Sequence, residues 1–285
     1  MKKVLLWIAA ILITLSAVYF QRVTGPTKPV KVEFKYKGSS CDAVLLRSTE
    51  TTLTHEEADG DYKSLEKKSP LRIMISNLPD EVSVELTYSL YPGEWKRDTL
   101  KSSREGDTFI FEVPSLPAAS KIKYSVFLID NEDRTSVGEG DVILRFKAPV
   151  PAYILVPHII LMFIAMLFSN FTGIAAYFEK IKIDKYALFV LVTLGAGGLI
   201  LGPLVQKYAF DAYWTGWPFG EDLTDNKTLV AFIIWLTAWL LNRKKGGRKY
   251  LYIVAALVML LVYSIPHSTA GSEYDHSKGE VITGR

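Results

Sequence analysis

The sequence predicts an α+β membrane protein: an N-terminal signal-anchor helix, an extracytoplasmic antiparallel β-sandwich, then a four-helix transmembrane bundle. Three observations point there. Hydrophobic residues make up 49% of the 285 and collect in five runs, at 4–20, 153–178, 186–205, 229–241 and 250–265. Residues 29–149, between the first run and the second, instead alternate apolar and polar positions in short segments. Outside that stretch, lysines and arginines cluster in loops that one topology places on the same side of a bilayer.

Lys2 and Lys3 ahead of the first run give it the basic start and apolar core of a secretory signal. No small-x-small cleavage site follows, so residues 1–22 read as an uncleaved anchor. The β segments come next: VKVEFKY, LRIMIS, VSVELTYSL, DTFIFEV, KIKYSVFLI and DVILRF, separated by turns such as Tyr91-Pro92-Gly93 and Glu105-Gly106-Asp107. Their period of two and their β-branched and aromatic content predict six or seven antiparallel strands packed as a sandwich. VELTYSLYPGEW and FEVPSLPAASKIKYSVFLID resemble fibronectin type III-like modules of bacterial surface proteins, which implies an Ig/fibronectin III-like sandwich. The single Cys41 is expected to be a buried small residue. His55-Glu56-Glu57 with Asp59 and Asp61 lies in a polar stretch and reads as a solvated loop. Pro149-Val150-Pro151 is a stiff hinge to the membrane part.

About 20 helical residues cross roughly 30 Å of hydrocarbon. Runs 153–178 and 186–205 meet that length; runs 229–241 and 250–265 span only if their helices start in polar flanks. Segment 223–227 is therefore expected to be the first turn of its helix, with Thr224 or Asp225 as N-cap. Glycines 195, 197 and 198 in the third run predict close packing against a neighbouring helix. With the N-terminus inside, Lys2, Lys3, Lys180, Lys182, Lys185, Arg243, Lys244, Lys245, Arg248 and Lys249 face the cytoplasm against only Glu179 and Asp184. This predicts five spans, the four-helix domain at 150–267 and an outer tail at 268–285. The formal charge of +3 follows from that topology and gives no reason to expect nucleic-acid binding.

The candidate site centres on the outer loop 207–228, KYAFDAYWTGWPFGEDLTDNKT. Rings with a polar edge suit the headgroup layer, which accounts for Tyr213, Trp214 and Trp217. It does not account for Asp211, Glu221, Asp222 and Asp225, nor for His158 and His267, which the topology brings to the same side. His158, His267, His276, Asp211 and Asp225 supply the nitrogen and oxygen donors that zinc, copper or iron accept. Asp225 and Lys227 should lie buried at the outer end, partnered by other residues such as Lys207 or His267.

Two histidines flanking an outward loop of tryptophan and aspartate resemble the layout of haem-handling proteins of cytochrome c biogenesis. That resemblance implies Trp214, Trp217 and Asp222 holding a macrocycle, with His158 and His267 as axial ligands. This chain departs from the family by placing Pro218-Phe219-Gly220-Glu221 before Asp222. TGWPFGEDLTDNKT and SIPHSTAGSEYDHS are similar to blocks in a group of bacterial multi-pass membrane proteins without assigned function. The similarity implies a bacterial membrane protein, and the basic loops place it in the inner membrane with the N-terminus cytoplasmic and the β-domain and C-terminus periplasmic. Two functions are expected from these residues: an outward site for haem or a transition metal, or a non-enzymatic membrane-anchored scaffold whose sandwich binds a partner. The β domain shows no catalytic constellation and the chain has no HExxH or similar spaced motif, so a non-enzyme is expected over an enzyme.

Overall fold

A computed structural model describes residues 2–53, 68–93, 96–131, 133–178, 183–245, 248–266 and 271–283. His267 and the His55-Glu56-Glu57, Asp59, Asp61 stretch lie outside the described residues.

After helix α1 (Lys2–Thr24), the alternating segments form strands. They are β1 (Val30–Tyr36), β2 (Ser39–Leu45), β3 (Ser48–Glu50), β4 (Lys68–Ser76), β5 (Ser83–Tyr91), β6 (Asp98–Lys101), β7 (Ser103–Glu105), β8 (Thr108–Pro114), β9 (Lys121–Asp130) and β10 (Asp133–Lys147). Two five-stranded sheets result, ordered β1-β2-β4-β8-β7 and β3-β10-β9-β5-β6. Neighbours pair antiparallel except β3, which lies parallel to β10 with Arg145 opposite Ser48. The period of two sends Leu71, Ile73 and Ile75 of β4 and Ile122, Tyr124, Val126 and Leu128 of β9 into one apolar cluster with Phe109, Phe111, Leu144 and Phe146. Each such side chain contributes on the order of 1.5–3 kcal/mol by leaving water. Cys41 is buried there, as the sequence predicts.

The second half is helical: α2 (Ala152–Ala176), α3 (Asp184–Leu194), a π-helical segment Gly195–Leu201, α4 (Gly202–Phe210), α5 (Leu223–Lys245) and α6 (Tyr250–Ser264). Among the described residues three helices are long and apolar enough to cross a membrane, Lys3–Thr24, Ala152–Ala176 and the joined rod Asp184–Phe210. Helix α6 is apolar but has 15 residues. Helix α5 reaches 23 residues, about 35 Å, because it begins in the polar flank as expected. Its cap is neither Thr224 nor Asp225. Asp222 Oδ1 accepts from the backbone N–H of Thr224 at 2.8 Å and of Asp225 at 3.4 Å, so the cap lies one residue before the helix.

Helix α1 packs with the others. Trp7 stacks on Phe171 with centroids 3.9 Å apart, and Asn170 Nδ2 donates to Thr14 Oγ1 at 3.0 Å. Buried residues of α1, α2, α3, α5 and α6 form a second apolar cluster. The glycines of the π segment allow this closeness: a Cβ on Gly197 would sit 2.9 Å from Leu161 Cβ, and one on Gly198 2.7 Å from Thr228 Cγ2.

The C-terminal residues do not form a loose tail. β11 (Glu273–Asp275) and β12 (Glu280–Ile282) make a hairpin whose first strand is buried against the β unit. Tyr274 N donates to Ala119 O at 3.1 Å, and Lys121 pairs with Glu273. The hinge is also held, since Ala148 N donates to Ala209 O at 3.1 Å at the end of α4.

Candidate functional site

The start of α5 is a hub. Asp222, 3% exposed, accepts with Oδ1 from its own helix and with Oδ2 from Ser272 N at 2.9 Å and Ser272 Oγ at 3.0 Å. One carboxylate thus ties the helix start to the C-terminal segment. Asp225, 6% exposed, accepts from Thr215 N at 2.7 Å and Gly216 N at 3.1 Å, folding the loop before α5 back onto the helix. Gly216 is required there, because a Cβ would lie 2.6 Å from Asp225 Cβ. The Gln206 amide bridges Thr215 Oγ1 and Asp225 Oδ1, its nitrogen 2.9 Å from the carboxylate. Lys227 is also buried and donates to Ile265 O at 2.7 Å, closing the end of α6.

Arg145 reaches into the same region from β10. It is 5% exposed, donates from Nη2 to Ser272 O and lies 4.7 Å from the ring centre of Phe210. Burial pulls its pKa below the usual guanidinium range, and the charges of Asp222 and Glu273 oppose that pull. Burial likewise lowers Lys121, against the stabilising effect of Glu273. His158, on the second turn of α2, sits 2.8 Å by Nδ1 from Gly197 O. That carbonyl belongs to the π segment and also accepts from Gly202 N. A carbonyl only accepts, so Nδ1 carries the proton and Nε2 is left as an acceptor.

These groups surround a cavity of about 190 Å³, lined on its polar side by Arg145, His158, Gln206, Asp222, Asp225 and Ser272. Met162, Val205, Phe210 and the surfaces of Gly198 and Gly202 supply the apolar side. Strand β10, four helical stretches and the C-terminal segment each contribute to one wall.

Of the residues picked from sequence, His158, Asp222 and Asp225 meet here. The others do not. Trp214 and Trp217 are not in the lining; Trp217 is 69% exposed and its carbonyl accepts from Trp214 Nε1 at 3.1 Å. Asp211 caps α4 in a left-handed conformation (φ 61°) and forms an exposed pair with Lys207 at 2.5 Å. Lys207 is therefore Asp211's partner, and the buried Asp225 takes backbone donors instead. His276 is buried on the C-terminal hairpin against the edge of Tyr274, centroids 5.2 Å apart, away from the cavity lining. Burial pushes its pKa down to about 4, with Asp275 pulling the other way. Among the described residues no group of three His, Cys, Asp or Glu side chains comes together as a metal site. At about 190 Å³ the cavity is smaller than the roughly 300–1,000 Å³ of drug-sized pockets, too small for a tetrapyrrole.

Sequence reasoning missed Arg145, Gln206, Thr215 and Ser272. Arg145 falls at an outward position of β10, between the buried Leu144 and Phe146, where alternation predicts a solvated side chain. Burial there depends on the C-terminal hairpin, whose one signal is the turn-forming Ser277-Lys278-Gly279 between short β segments. No family model, curated protein or solved structure matches the chain.

Proposed function

We propose that this chain is a multi-pass protein of the bacterial inner membrane whose outer face binds a small molecule beneath an Ig/fibronectin III-like β unit. In this reading α1, α2, the α3–α4 rod, α5 and α6 all cross the bilayer, with the N-terminus cytoplasmic. The observation that carries the binding function is the composition of the cavity wall. Arg145 belongs to the β unit and Ser272 to the segment fastened to it, while His158, Gln206, Asp222 and Asp225 belong to the helices. An occupant touches both parts at once, and its differential contacts favour one seating of the β unit over another.

Substituting leucine at Gly202 tests this directly. A Cβ there meets His158 Cε1 at 3.9 Å and Gly197 O at 3.7 Å, ordinary contacts, so the side chain fills the cavity without breaking the helix. The wild-type protein, purified in mild detergent, is expected to gain melting temperature from one or more compounds in a panel of small metabolites, and Gly202→Leu to gain none. Identical responses of the two proteins would remove the proposal. Orientation has its own check: a reporter fused after Arg285 is expected to be active in the periplasm, and cytoplasmic activity would place the cavity on the wrong side.

A second reading, a non-enzymatic anchor presenting the β unit to a protein partner, is favoured by a different observation. The acids at the hub are satisfied by the chain's own donors, as a purely structural latch requires.

A further inference from the structure

The open hydrogen-bonding groups of the cavity are few. Asp222 and Asp225 are taken by backbone and hydroxyl donors, and Thr215, Ser272 and Gln206 are taken by one another. Arg145 lines the wall as well, but its Nε, without a partner among the described residues, is sealed off with almost no surface of its own. His158 Nε2 is an acceptor that no hydrogen bond among the described residues uses, since the ring spends Nδ1 on Gly197 O. A buried polar atom without a partner is costly, and a ligand group that supplies one recovers that cost.

Charge narrows the class. Arg145 and Lys227 stand against Asp222 and Asp225, so the buried charges near the cavity balance. An added carboxylate would meet two existing carboxylates, and an added ammonium would meet Arg145. Size narrows it further. A volume of about 190 Å³ is close to the roughly 150 Å³ of an engineered cavity that accepts benzene. Met162, Val205 and Phe210 offer such a ring an apolar bed.

We infer that the cavity takes an uncharged single-ring compound bearing a hydroxyl, of the phenol or hydroquinone class. The hydroxyl proton is donated to His158 Nε2, and the ring lies against the apolar side of the cavity. The inference rests on the small-molecule reading above and names its ligand class.

The test is calorimetric titration of the full chain in lipid nanodiscs with hydroquinone, phenol and benzoate. Hydroquinone or phenol is expected to bind saturably at one per chain. Gly202→Leu should abolish that binding, which also subtracts partitioning into lipid. His158→Phe, which keeps a flat ring and loses the acceptor, should weaken it about tenfold, as one hydrogen bond is worth. Saturable benzoate binding that Gly202→Leu removes, with no binding of the hydroxyl compounds, would overturn the ligand class and leave the cavity a binding site. Hydroquinone binding that His158→Phe leaves unchanged would also overturn the class. No saturable binding of any of the three that differs between wild type and Gly202→Leu would bring down the class and the site together.

Discussion

Replacing Asp222 with alanine is expected to destabilise the protein by about 3–5 kcal/mol, the size seen when one partner of a buried charge network is removed. Four donors lose their acceptor: the N–H groups of Thr224 and Asp225, and both N–H and Oγ–H of Ser272. Loss of the helix cap alone costs about 1 kcal/mol. Stranding the N–H of the buried Ser272 adds about 1–3 kcal/mol, and Arg145 loses the stronger of its two opposing charges. Asp222→Asn keeps one acceptor oxygen and should lose roughly half as much. The measurement is thermal unfolding of both variants in detergent, with hydrogen exchange at β11 as a local readout. An alanine variant within about 1 kcal/mol of wild type would show that the hub does not hold the C-terminal segment in place.

The importance of Asp222 could be read only in part from the chain. The length of run 229–241 forces its helix to start in the polar flank, and a helix starting near Leu223 needs a cap, so an acid was due within a residue or two. Which acid it is depends on Ser272, some 50 residues later, and nothing local links the two. Strands followed the same logic. The six long alternating segments all form strands because each carries an apolar face at alternate positions, whereas SSCDAVL, which forms β2, hides its alternation behind small residues. β3, β6 and β7 have three or four residues each, too few for a period to be visible.

The same distinction explains the site. His158 was legible as a polar residue near the start of a long apolar run, and the glycines after Leu194 marked where another helix comes close. Their conversion into a π segment, which aligns the Gly197 carbonyl with the histidine, was not legible, since it arises from packing against α2 and α5. Aromatic density misdirected the reading. Trp214 and Trp217 dominate the loop by eye, yet the loop's fold is set by Thr215 and Gly216, the two small residues between them, whose N–H groups both reach Asp225. Ring-rich residues at a membrane edge are placed by the solvent boundary, and the polar residues between them carry the geometry.

Lowering the pH from 7 to 4 is expected to loosen the C-terminal hairpin, with His276 as the trigger. Its ring is 4% exposed, and burial holds its pKa at about 4, against roughly 6.5 in an unfolded chain. Between those values the unfolded chain binds a proton that the folded one refuses, so stability rises with pH across this window. The contribution is complete above about pH 6.5 and is lost as the pH falls toward 4, a total on the order of 3 kcal/mol. Protonation puts a charge beneath the strand that carries Glu273 and Tyr274, so the contacts to Lys121 and Ala119 should open first. Hydrogen exchange at β11 and at Ala119 between pH 4 and 6.5 measures it. His276→Phe retains the edge contact with Tyr274 and has nothing to titrate, so its exchange rates, corrected for intrinsic pH dependence, should be flat across the window. An equal slope in that variant would assign the acid response to carboxylates such as Asp275 and Glu273 and would clear the histidine of any part in it.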